Sequence, residues 1–421
     1  MARIVSSLWK SSSATPTRVE SRVFIRRAAA AYHAGVTRRF PPGPRRVFFV
    51  RRHPETFLKL ARTYGDLVHF RVGPREVFLV SRPDLIQQMF RDSYSHFEKD
   101  WGPRRGASPL GNGLLTSEGG DHRAQRMDFS RIFARPAVEA RRAEVAAEIE
   151  AWSERQRDGA EIDVFHEMSA IGSAVAARVL FGCPIDADVA LEAMDALGRG
   201  FGRVMFPHAH RFRVRRDRGA KLFDLVRYVK EHATGGGLLA PRDLSDDQLA
   251  TFLVTGQETI RIATTWAWVM LSAHPGARDA DAHSILLESM RLYPPQWMIG
   301  RRTIAPYRFD GYEVPPGALV LTSPYVVHRD PRFFDDPLRF DPSRWQKPLA
   351  VRDAYFPFGG GARRCIGEAF ATMVGTMILS QLARDWTFDC VSHDLRYDAR
   401  LTLQPRRAMA RLRRVRSAVR A

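Results

Sequence analysis

The sequence predicts a mostly α-helical fold with small β-sheets, formed as a single large domain. Two long stretches of low polarity, residues 167–181 and 245–274, have the length of helices rather than of strands. The strand signals are much shorter. Leu67–Val72 and residues 76–81 flank Gly73-Pro74 and predict one hairpin.

Capping and turn residues set the expected helix boundaries. Residues 53–64 predict a short helix that ends at Gly65. Ser245 and Gln248 have the spacing of a capping box and open the second long helix, which ends near His274. Short strands are expected at Tyr312–Val314 and residues 319–321. A further apolar stripe comprises Val138, Val145, Ile149 and Trp152.

The composition predicts a large buried core and a reducing compartment. Of the 421 residues, 45% are hydrophobic, which is ample for such a core. The three cysteines, Cys183, Cys365 and Cys390, provide no disulfide framework, so we expect a cytoplasmic protein. The weakly polar run of residues 262–273, which contains no charged residue, is too short to span a bilayer.

The formal net charge is +19, and 59 of the 65 basic residues are arginine. One explanation is the codon bias of a GC-rich genome. The functional explanation is a positive potential that attracts an acidic protein or an anionic membrane surface. The arginines are scattered and no nucleic-acid-binding motif accompanies them, so we expect no nucleic-acid partner.

Residues 1–39 differ in composition from residues 40–421. They contain eight Lys or Arg and one acidic residue, Glu20, among many Ser, Thr and Ala. This composition loosely resembles an organellar transit peptide, but a disordered basic tail or an over-extended start site explains it as well. The proline-rich run that begins at Phe40 predicts the start of the folded domain.

Cys365 lies in a glycine-rich loop that leads directly into a predicted helix, residues 368–382. Residues 358–367 read Phe-Gly-Gly-Gly-Ala-Arg-Arg-Cys-Ile-Gly. Free backbone N–H groups and the helix dipole would face the sulfur and favour the thiolate over the thiol. A thiolate is a good axial ligand for haem iron, and it promotes cleavage of the O–O bond of bound O2.

This loop resembles the haem-binding loop of the cytochrome P-450 superfamily, Phe-x-x-Gly-x-Arg-x-Cys-x-Gly, at every position. The similarity extends over nearly all of residues 40–410. It implies the cytochrome P-450 fold and a haem-thiolate monooxygenase that uses haem b, with Cys365 as the metal ligand. The alternative from a different class is a haem-binding sensor or isomerase-like protein.

Glu288 and Arg291 are three residues apart on a predicted helix, so both lie on one face. The same stretch continues into Tyr293-Pro294-Pro295, and Arg344 follows within residues 337–345. Both stretches match the superfamily in order and context. The resemblance implies that Glu288, Arg291 and Arg344 form a buried ion-pair network beneath the haem.

Residues 255–259, Thr-Gly-Gln-Glu-Thr, lie within the second long helix. A mid-helix glycine costs about 1 kcal/mol relative to alanine, so it is either tolerated or has a function. The run resembles the oxygen-binding kink of the superfamily. This implies a local opening of the helix, with Thr259 and Glu258 as catalytic residues that bond to the oxygen and pass protons from solvent. Thr255 stands where the family usually has a small apolar residue, so its side chain should narrow the pocket or add a hydroxyl.

Haem carries two anionic propionates that need cationic partners. By resemblance, Arg363 is one cofactor-binding residue, and His122 and Arg126, four residues apart, are two more. Arg301 is a fourth, although Arg302 could take its place. The substrate pocket is expected at residues 110–115, Phe206, residues 255–259, residues 296–299 and residues 401–403, with ordinary core packing as the alternative for each.

Only 29 positions separate Thr259 from Glu288, fewer than in most of the superfamily. The same compact plan occurs in a small bacterial subgroup that hydroxylates the β-ionone rings of carotenoids and includes a thermophile β-carotene hydroxylase. Residues 292–295, 301–302 and 323–326 also resemble that subgroup. We therefore expect hydroxylation of a carotenoid such as β-carotene, with a fatty acid or a terpene as the alternative substrate.

The sequence contains no flavin or iron–sulfur region of its own. The resemblance therefore implies that electrons come from a ferredoxin-type donor with its reductase, and the positive charge would suit an acidic ferredoxin. A long hydrophobic small-molecule substrate resides in membranes, so peripheral membrane contact is a further hypothesis. The protein is expected to be a monomer.

Overall fold

The computed structural model describes residues 40–47, 53–99, 110–186, 189, 217–239, 243–390, 395–399, 402–406 and 408–415. The predictions for residues 1–39, for Phe206 and for Leu401 lie outside these ranges. Within them, long helices alternate with short strands, as the sequence predicts.

The helices of the described residues vary in length from one turn to almost eight. They are α1 (Pro54–Tyr64), α2 (Pro83–Arg91), α3 (Gly119–Ile132), α4 (Arg135–Glu139), α5 (Arg142–Arg155), α6 (Val164–Ala176), α7 (Asp217–His232), α8 (Asp246–Ala273), α9 (Ala282–Leu292), α10 (Pro324–Val327) and α11 (Glu368–Asp385).

The described strands are three to six residues long. They are β1 (Leu67–Val72), β2 (Arg75–Val80), β3 (Phe97–Lys99), β4 (Glu161–Asp163), β5 (Ile299–Thr303), β6 (Tyr307–Phe309), β7 (Tyr312–Val314), β8 (Leu319–Thr322), β9 (Trp386–Cys390), β10 (Tyr397–Ala399), β11 (Leu403–Pro405) and β12 (Met409–Arg414). The predicted hairpin and the predicted short strands are present, within one residue of the expected bounds.

The largest sheet has the strand order β1-β2-β8-β5-β3, and smaller sheets are formed by β4-β12-β9, β10-β11 and β6-β7. In the large sheet β8 is parallel to β2, and the other pairs are antiparallel. At its edge Lys99 of β3 is paired with Arg301 of β5. Because side chains alternate along a strand, Arg301 and Arg302 lie on opposite faces of this sheet.

The central helix of the core is α8, which packs against α6, α9 and α11. Its capping box forms as predicted: Gln248 N donates to Ser245 Oγ at 3.3 Å, and Ser245 N donates to Gln248 Oε1 at 3.4 Å. The helix then runs unbroken to Ala273. In its last third Trp266 is fully buried and stacks on Tyr293 at 3.8 Å.

The helix α6 starts earlier and ends differently than the apolar pattern predicts. Asp163 caps it, since its carboxylate accepts the N–H of Phe165 at 2.9 Å. The helix continues into a π-helical turn, Ala177–Phe181. The N–H groups of Leu238 and Leu239 donate to carbonyl groups of that turn at 2.8 and 2.9 Å.

One described helix, Val164–Phe181, is long and apolar enough to cross a membrane by length and composition alone. Of its residues, 67% are buried inside the protein. Its partners are α8 and α5, so its apolar surface is accounted for by packing in the core.

The apolar stripe predicted for one helix is divided between two. Val138 belongs to α4, whereas Val145, Ile149 and Trp152 belong to α5, and all four are buried. The seven-residue step from Val138 to Val145 fits a helical face, but the chain turns at residues 140–141 and each helix buries its own part.

A connection of eight residues, 274–281, joins α8 directly to α9. It contains one short 3-10 turn, Pro275–Ala277. Asp281 then starts α9, because its carboxylate accepts the N–H of Ser284 at 2.9 Å. This short connection accounts for the compact spacing between Thr259 and Glu288.

Candidate active site

The loop that carries Cys365 packs tightly on α2. Gly361 has a φ of +62°, and a Cβ there would come within 2.2 Å of the carbonyl oxygen of Phe90. A Cβ at Gly360 would come within 2.3 Å of the Phe90 ring. The glycines thus allow a contact with α2 that other residues would block. The N–H of Cys365 donates to Phe358 O at 2.9 Å, which closes the loop.

The prediction that this loop favours the thiolate is wrong for the protein by itself. Desolvation by the surrounding protein raises the pKa of the Cys365 thiol to about 11. The N–H of Gly367 and the charges of Arg126 and Arg364 act in the opposite direction but do not outweigh it. A coordinating metal ion deprotonates a thiol outright, so this shift does not exclude Cys365 as a ligand.

Cys365 is exposed, although the protein atoms around its thiol are close enough to desolvate it. A bound group can therefore reach the sulfur. Neither of the other cysteines is exposed: Cys183 is fully buried and Cys390 is partly buried.

Four positive side chains converge on His122, a buried residue of α3: Lys99, Arg126, Arg301 and Arg363. Burial and then these charges lower the pKa of His122 to about 3, so the imidazole is neutral near pH 7. The Tyr94 hydroxyl lies 2.6 Å from His122 Nδ1. With Tyr94 as the donor, Nε2 carries the ring proton and can donate to an anion.

Arg363 lies within this cation cluster, two residues before Cys365 in the cysteine loop. Its Nη2 donates to Ser93 O at 3.0 Å and its Nη1 donates to Glu118 Oε1 at 2.5 Å. The Tyr94 ring lies 4.9 Å from its guanidinium carbon. Its Nε is buried and has no hydrogen-bond partner among the described residues. Such a donor is costly unless a bound group satisfies it.

Arg126 connects the cation cluster to the cysteine loop. It lies one turn after His122 on α3, as the four-residue spacing predicts. Its Nη1 donates to Arg364 O at 2.5 Å. Burial lowers the pKa of Arg126, while Cys365 and Tyr94 act to raise it.

The geometry favours Arg301 over Arg302 as the fourth cation. Arg301 is 9% exposed, and its positive charge helps to lower the pKa of His122. Arg302, on the opposite face of β5, forms an ion pair with Glu98.

Glu288 is the centre of the buried ion-pair network that the sequence predicts. Its carboxylate accepts from Arg291 Nη2 at 2.8 Å and Nε at 2.9 Å, and from Arg344 Nε at 2.9 Å. Glu288 and Arg291 are completely buried. Two further donors to Glu288, Asp341 N at 2.9 Å and Trp345 Nε1 at 3.0 Å, were not predicted.

The predicted opening of α8 is not present, since residues 255–259 are helical throughout. A Cβ at Gly256 would lie 2.9 Å from Leu180 Cδ1. The glycine therefore makes room for a side chain of the π turn rather than for a break in the helix. The Thr255 hydroxyl donates to Thr251 O at 2.8 Å within the helix.

Glu258 and Thr259 are both partly exposed within α8. Thr255 and Thr259, one turn apart, share a face of the helix. The Glu258 carboxylate forms an ion pair with Arg261 and accepts from Thr402 Oγ1 at 3.0 Å and Gln404 Nε2 at 2.8 Å. No hydrogen bond joins Glu258 to Thr259 in the part of the chain that the structure describes.

Sequence reasoning missed Tyr94, Lys99 and Glu118, which lie around the cation cluster. Lys99 Nζ donates to Leu114 O at 2.8 Å and to Ser117 O at 2.9 Å, and its own N–H donates to Glu118 at 2.6 Å. No motif spacing indicates them, because the sheet edge at β3 brings them to α3.

The predicted pocket segments contain several core residues. Leu110 and Leu403 are fully buried, and Trp297 packs against Phe57 at 5.7 Å. The carbonyl oxygen of Leu403 accepts the indole N–H of Trp266 at 2.8 Å. Ordinary core packing, which the sequence also allows for each of these segments, accounts for the positions of these three residues.

An accessible thiol, the buried donor of Arg363 and four converging cations fit an iron porphyrin with two carboxylates. With a mostly α fold, they define a haem-thiolate protein. The chain belongs to the cytochrome P-450 family, whose sequence model matches residues 46–214 and 282–409. It is a monooxygenase of that family with haem b as its cofactor. Glu258 and Thr259 lie between the two matched stretches.

Two Streptomyces enzymes are similar to the chain over most of its length. Cyclooctatin synthase of Streptomyces melanosporofaciens is 34% identical over 80% of this chain and 85% of its own length. Pentalenene oxygenase of Streptomyces avermitilis is 30% identical over 80% of this chain and 87% of its own length. Among solved structures, a six-coordinated cytochrome P-450 from Thermus thermophilus has a TM-score of 0.74 and 28% identity, over 86% of this chain and 98% of that one.

Proposed function

We propose that this monooxygenase hydroxylates a cyclic terpene at an unactivated C–H bond, with Cys365 as the ligand that would hold the haem iron. The observation that carries this proposal is the accessible thiol of Cys365 near the cation cluster around His122, to which Arg126 belongs. When bound, haem activates O2: with two electrons and two protons, one oxygen atom enters the C–H bond and the other leaves as water.

Cys365 is proposed to bind the iron as a thiolate. The Gly367 N–H and the charges of Arg126 and Arg364 already favour the charged sulfur. The close contacts of Gly360 and Gly361 with Phe90 fix the position of the loop and therefore of the Cys365 sulfur.

Arg363, Arg126, Arg301 and His122 are proposed to hold the two propionates. The Arg363 Nε and the His122 Nε2–H are donors that an anion would satisfy. Neutral His122 contributes a hydrogen bond rather than a charge, so the arginines supply the electrostatic attraction.

Glu258 and Thr259 are proposed to deliver protons. Thr259 donates its hydroxyl hydrogen towards the reacting oxygen from the helix face it shares with Thr255. Glu258, which is 14% exposed, moves protons between solvent and that face.

The terpene assignment rests on the two relatives named for cyclooctatin and pentalenene. A carotenoid ring is the second candidate. The eight-residue connection between α8 and α9 favours it, because that compact plan is the feature of the carotenoid-hydroxylating subgroup.

Electrons are proposed to come from an acidic ferredoxin-type protein with its reductase, to which the net charge of +19 is complementary. Peripheral membrane contact stays a prediction. A flotation assay with anionic vesicles at low salt tests it, and absence of binding would contradict it.

The test of haem-thiolate ligation is the difference spectrum of the reduced protein with carbon monoxide. The wild type should show the absorption band that gave the superfamily its name. Cys365→Ser should abolish that band, whereas Cys390→Ser, the control, should retain it. A band unchanged in Cys365→Ser would refute the ligand assignment.

The substrate is tested by supplying pentalenene and β-carotene separately to the purified enzyme with ferredoxin, reductase and NADPH. A mono-oxygenated product 16 mass units heavier, formed from pentalenene, supports the terpene assignment. Product from β-carotene alone would favour the second candidate.

A further inference from the structure

The carboxylate of Glu258 is held from two directions. Its Oε2 pairs with Arg261, one turn further along α8. Its Oε1 accepts from Thr402 Oγ1 at 3.0 Å and from Gln404 Nε2 at 2.8 Å. Thr402 immediately precedes β11 and Gln404 lies within it, 144 and 146 residues away along the chain. Both oxygens thus have fixed donors.

Arg261 is nearly completely buried, with 3% of its side chain exposed. Its guanidinium carbon lies 4.6 Å from the ring centre of Phe165, and its Nη1 lies 3.4 Å from Ser169 Oγ, both on α6. Its Nε is buried without a hydrogen-bond partner among the described residues. A buried arginine with so few hydrogen bonds needs a nearby carboxylate to offset the cost of burying its charge. Glu258 provides that carboxylate.

The segment that supplies the other two donors, residues 402–404, is itself anchored in the core. Leu403 N donates to Pro295 O at 3.0 Å, and Leu403 O accepts from Trp266 Nε1 at 2.8 Å. Leu403 and Thr402 are buried. Because Arg261 on one side and residues 402–404 on the other are held in place, the Glu258 carboxylate between them is held as well.

We propose that Arg261, together with Thr402 and Gln404, is a positioning group that sets the direction of the Glu258 carboxylate for proton delivery. This inference rests on the proposed role of Glu258. This clamp of Arg261, Thr402 and Gln404 holds the carboxylate towards α6 and residues 402–404, so losing it lets the side chain turn away. Protons then arrive late, and O2 is released as hydrogen peroxide.

The test measures how O2 is reduced by the holoenzyme with ferredoxin, reductase and NADPH and no organic substrate. Two electrons and two protons convert O2 to hydrogen peroxide, and four of each convert it to two waters. Arg261→Met should raise the ratio of peroxide to water about tenfold, the effect of losing one charge-assisted hydrogen bond. Arg261→Lys should restore most of the wild-type ratio.

Two variants keep the ion pair intact in case Arg261→Met does not fold or bind haem. Thr402→Val and Gln404→Leu each remove one donor to Oε1 and should raise the same ratio by a smaller factor, about threefold. Thr376→Val on α11, a partly exposed threonine outside the clamp, is the matched control and should leave it unchanged. Wild-type ratios in Thr402→Val and Gln404→Leu would overturn the proposal.

Glu258→Gln separates this inference from the proposed role of Glu258. If Glu258→Gln leaves the ratio unchanged, the relay role fails. If Glu258→Gln raises it but the clamp variants do not, only the positioning role fails. If Arg261 acts through Glu258, the double variant Glu258→Gln/Arg261→Met should give the same ratio of peroxide to water as Glu258→Gln alone.

Amide hydrogen exchange gives a readout that does not depend on turnover. Residues 402–406 should exchange faster in Glu258→Gln than in wild type, since this segment loses the acceptor of two of its side chains. The β6–β7 hairpin should exchange as in wild type. Equal exchange at residues 402–406 in both proteins would mean that the carboxylate does not hold this segment.

Discussion

The hydroxyl of Tyr94 lies 2.6 Å from Nδ1 of His122, and this contact joins the connection between α2 and β3 to α3. Tyr94 also lies under two guanidinium groups, those of Arg123 at 4.5 Å and Arg363 at 4.9 Å. With its hydroxyl as the donor, Tyr94 sets the tautomer of the histidine, and its ring packs against an arginine that is proposed to bind a propionate.

Tyr94→Phe should weaken haem binding while leaving the fold intact. The variant keeps the ring that the guanidinium groups contact but removes the donor to His122, a loss of about 1 kcal/mol. We expect the rate of haem dissociation, measured by transfer to apomyoglobin, to rise about fivefold. An unchanged rate would show that Tyr94 does not orient His122.

Glu288→Gln should abolish most haem incorporation and lower the free energy of unfolding by about 3 to 5 kcal/mol. The amide leaves Arg291, which is completely buried, without a compensating charge. The measurement is haem content per chain together with urea unfolding. Glu313→Gln is the control, because its partner Arg308 is 67% exposed and such pairs contribute little. Full haem content in Glu288→Gln would contradict the structural role of this network.

Gly256→Ala should be tolerated best when Leu180 is shortened. Alanine adds about 1 kcal/mol of helix stability, but its Cβ would lie 2.9 Å from Leu180 Cδ1. Leu180→Val alone should destabilise by about 1 kcal/mol. Adding Gly256→Ala to Leu180→Val should then raise the midpoint of thermal unfolding. A further fall in the double variant would show that the glycine is needed for another reason.

Acid should destabilise the β1–β2 hairpin through Glu76. Burial alone would raise the pKa of Glu76, but hydrogen bonds from His69 and Arg71 outweigh it and lower the pKa to about 2. The stabilisation is therefore fully present above the unfolded value of 4.5 and is lost as the pH falls towards 2. We expect a loss of about 1 to 2 kcal/mol, reduced by partial solvent screening.

The measurement for this last prediction is the free energy of unfolding of wild type and Glu76→Gln between pH 5 and pH 2. The difference between the two should shrink as the pH falls, since the glutamine variant lacks the titrating group. A difference that stays constant across this range would mean that Glu76 does not contribute in the way its hydrogen bonds indicate.

The parts of the site that the sequence predicts are those that depend on short spacing. Glu288 and Arg291 share a face because they are three residues apart, and His122 and Arg126 share one because they are four apart. The contacts of Glu258 with Thr402 and Gln404 span more than 140 residues. Only tertiary packing brings them together, so no local pattern indicates them.

Two sequence expectations failed because a competing physical effect was stronger. The helix dipole and loop amides at Cys365 were expected to decide its charge, but desolvation is larger. The glycine in α8 was expected to open the helix, but Leu180 fills the space beside it. In both cases the deciding neighbours come from the folded surroundings rather than from the motif.

Only eight residues connect α8 to α9, and Ser289 Oγ donates to Ala263 O at 3.4 Å across the two helices. We therefore expect α8, the helix proposed to deliver protons, to move together with α9 and the ion-pair network of Glu288. Adaptation to substrates of different size then falls to the segments around them, which makes those segments the place to engineer selectivity.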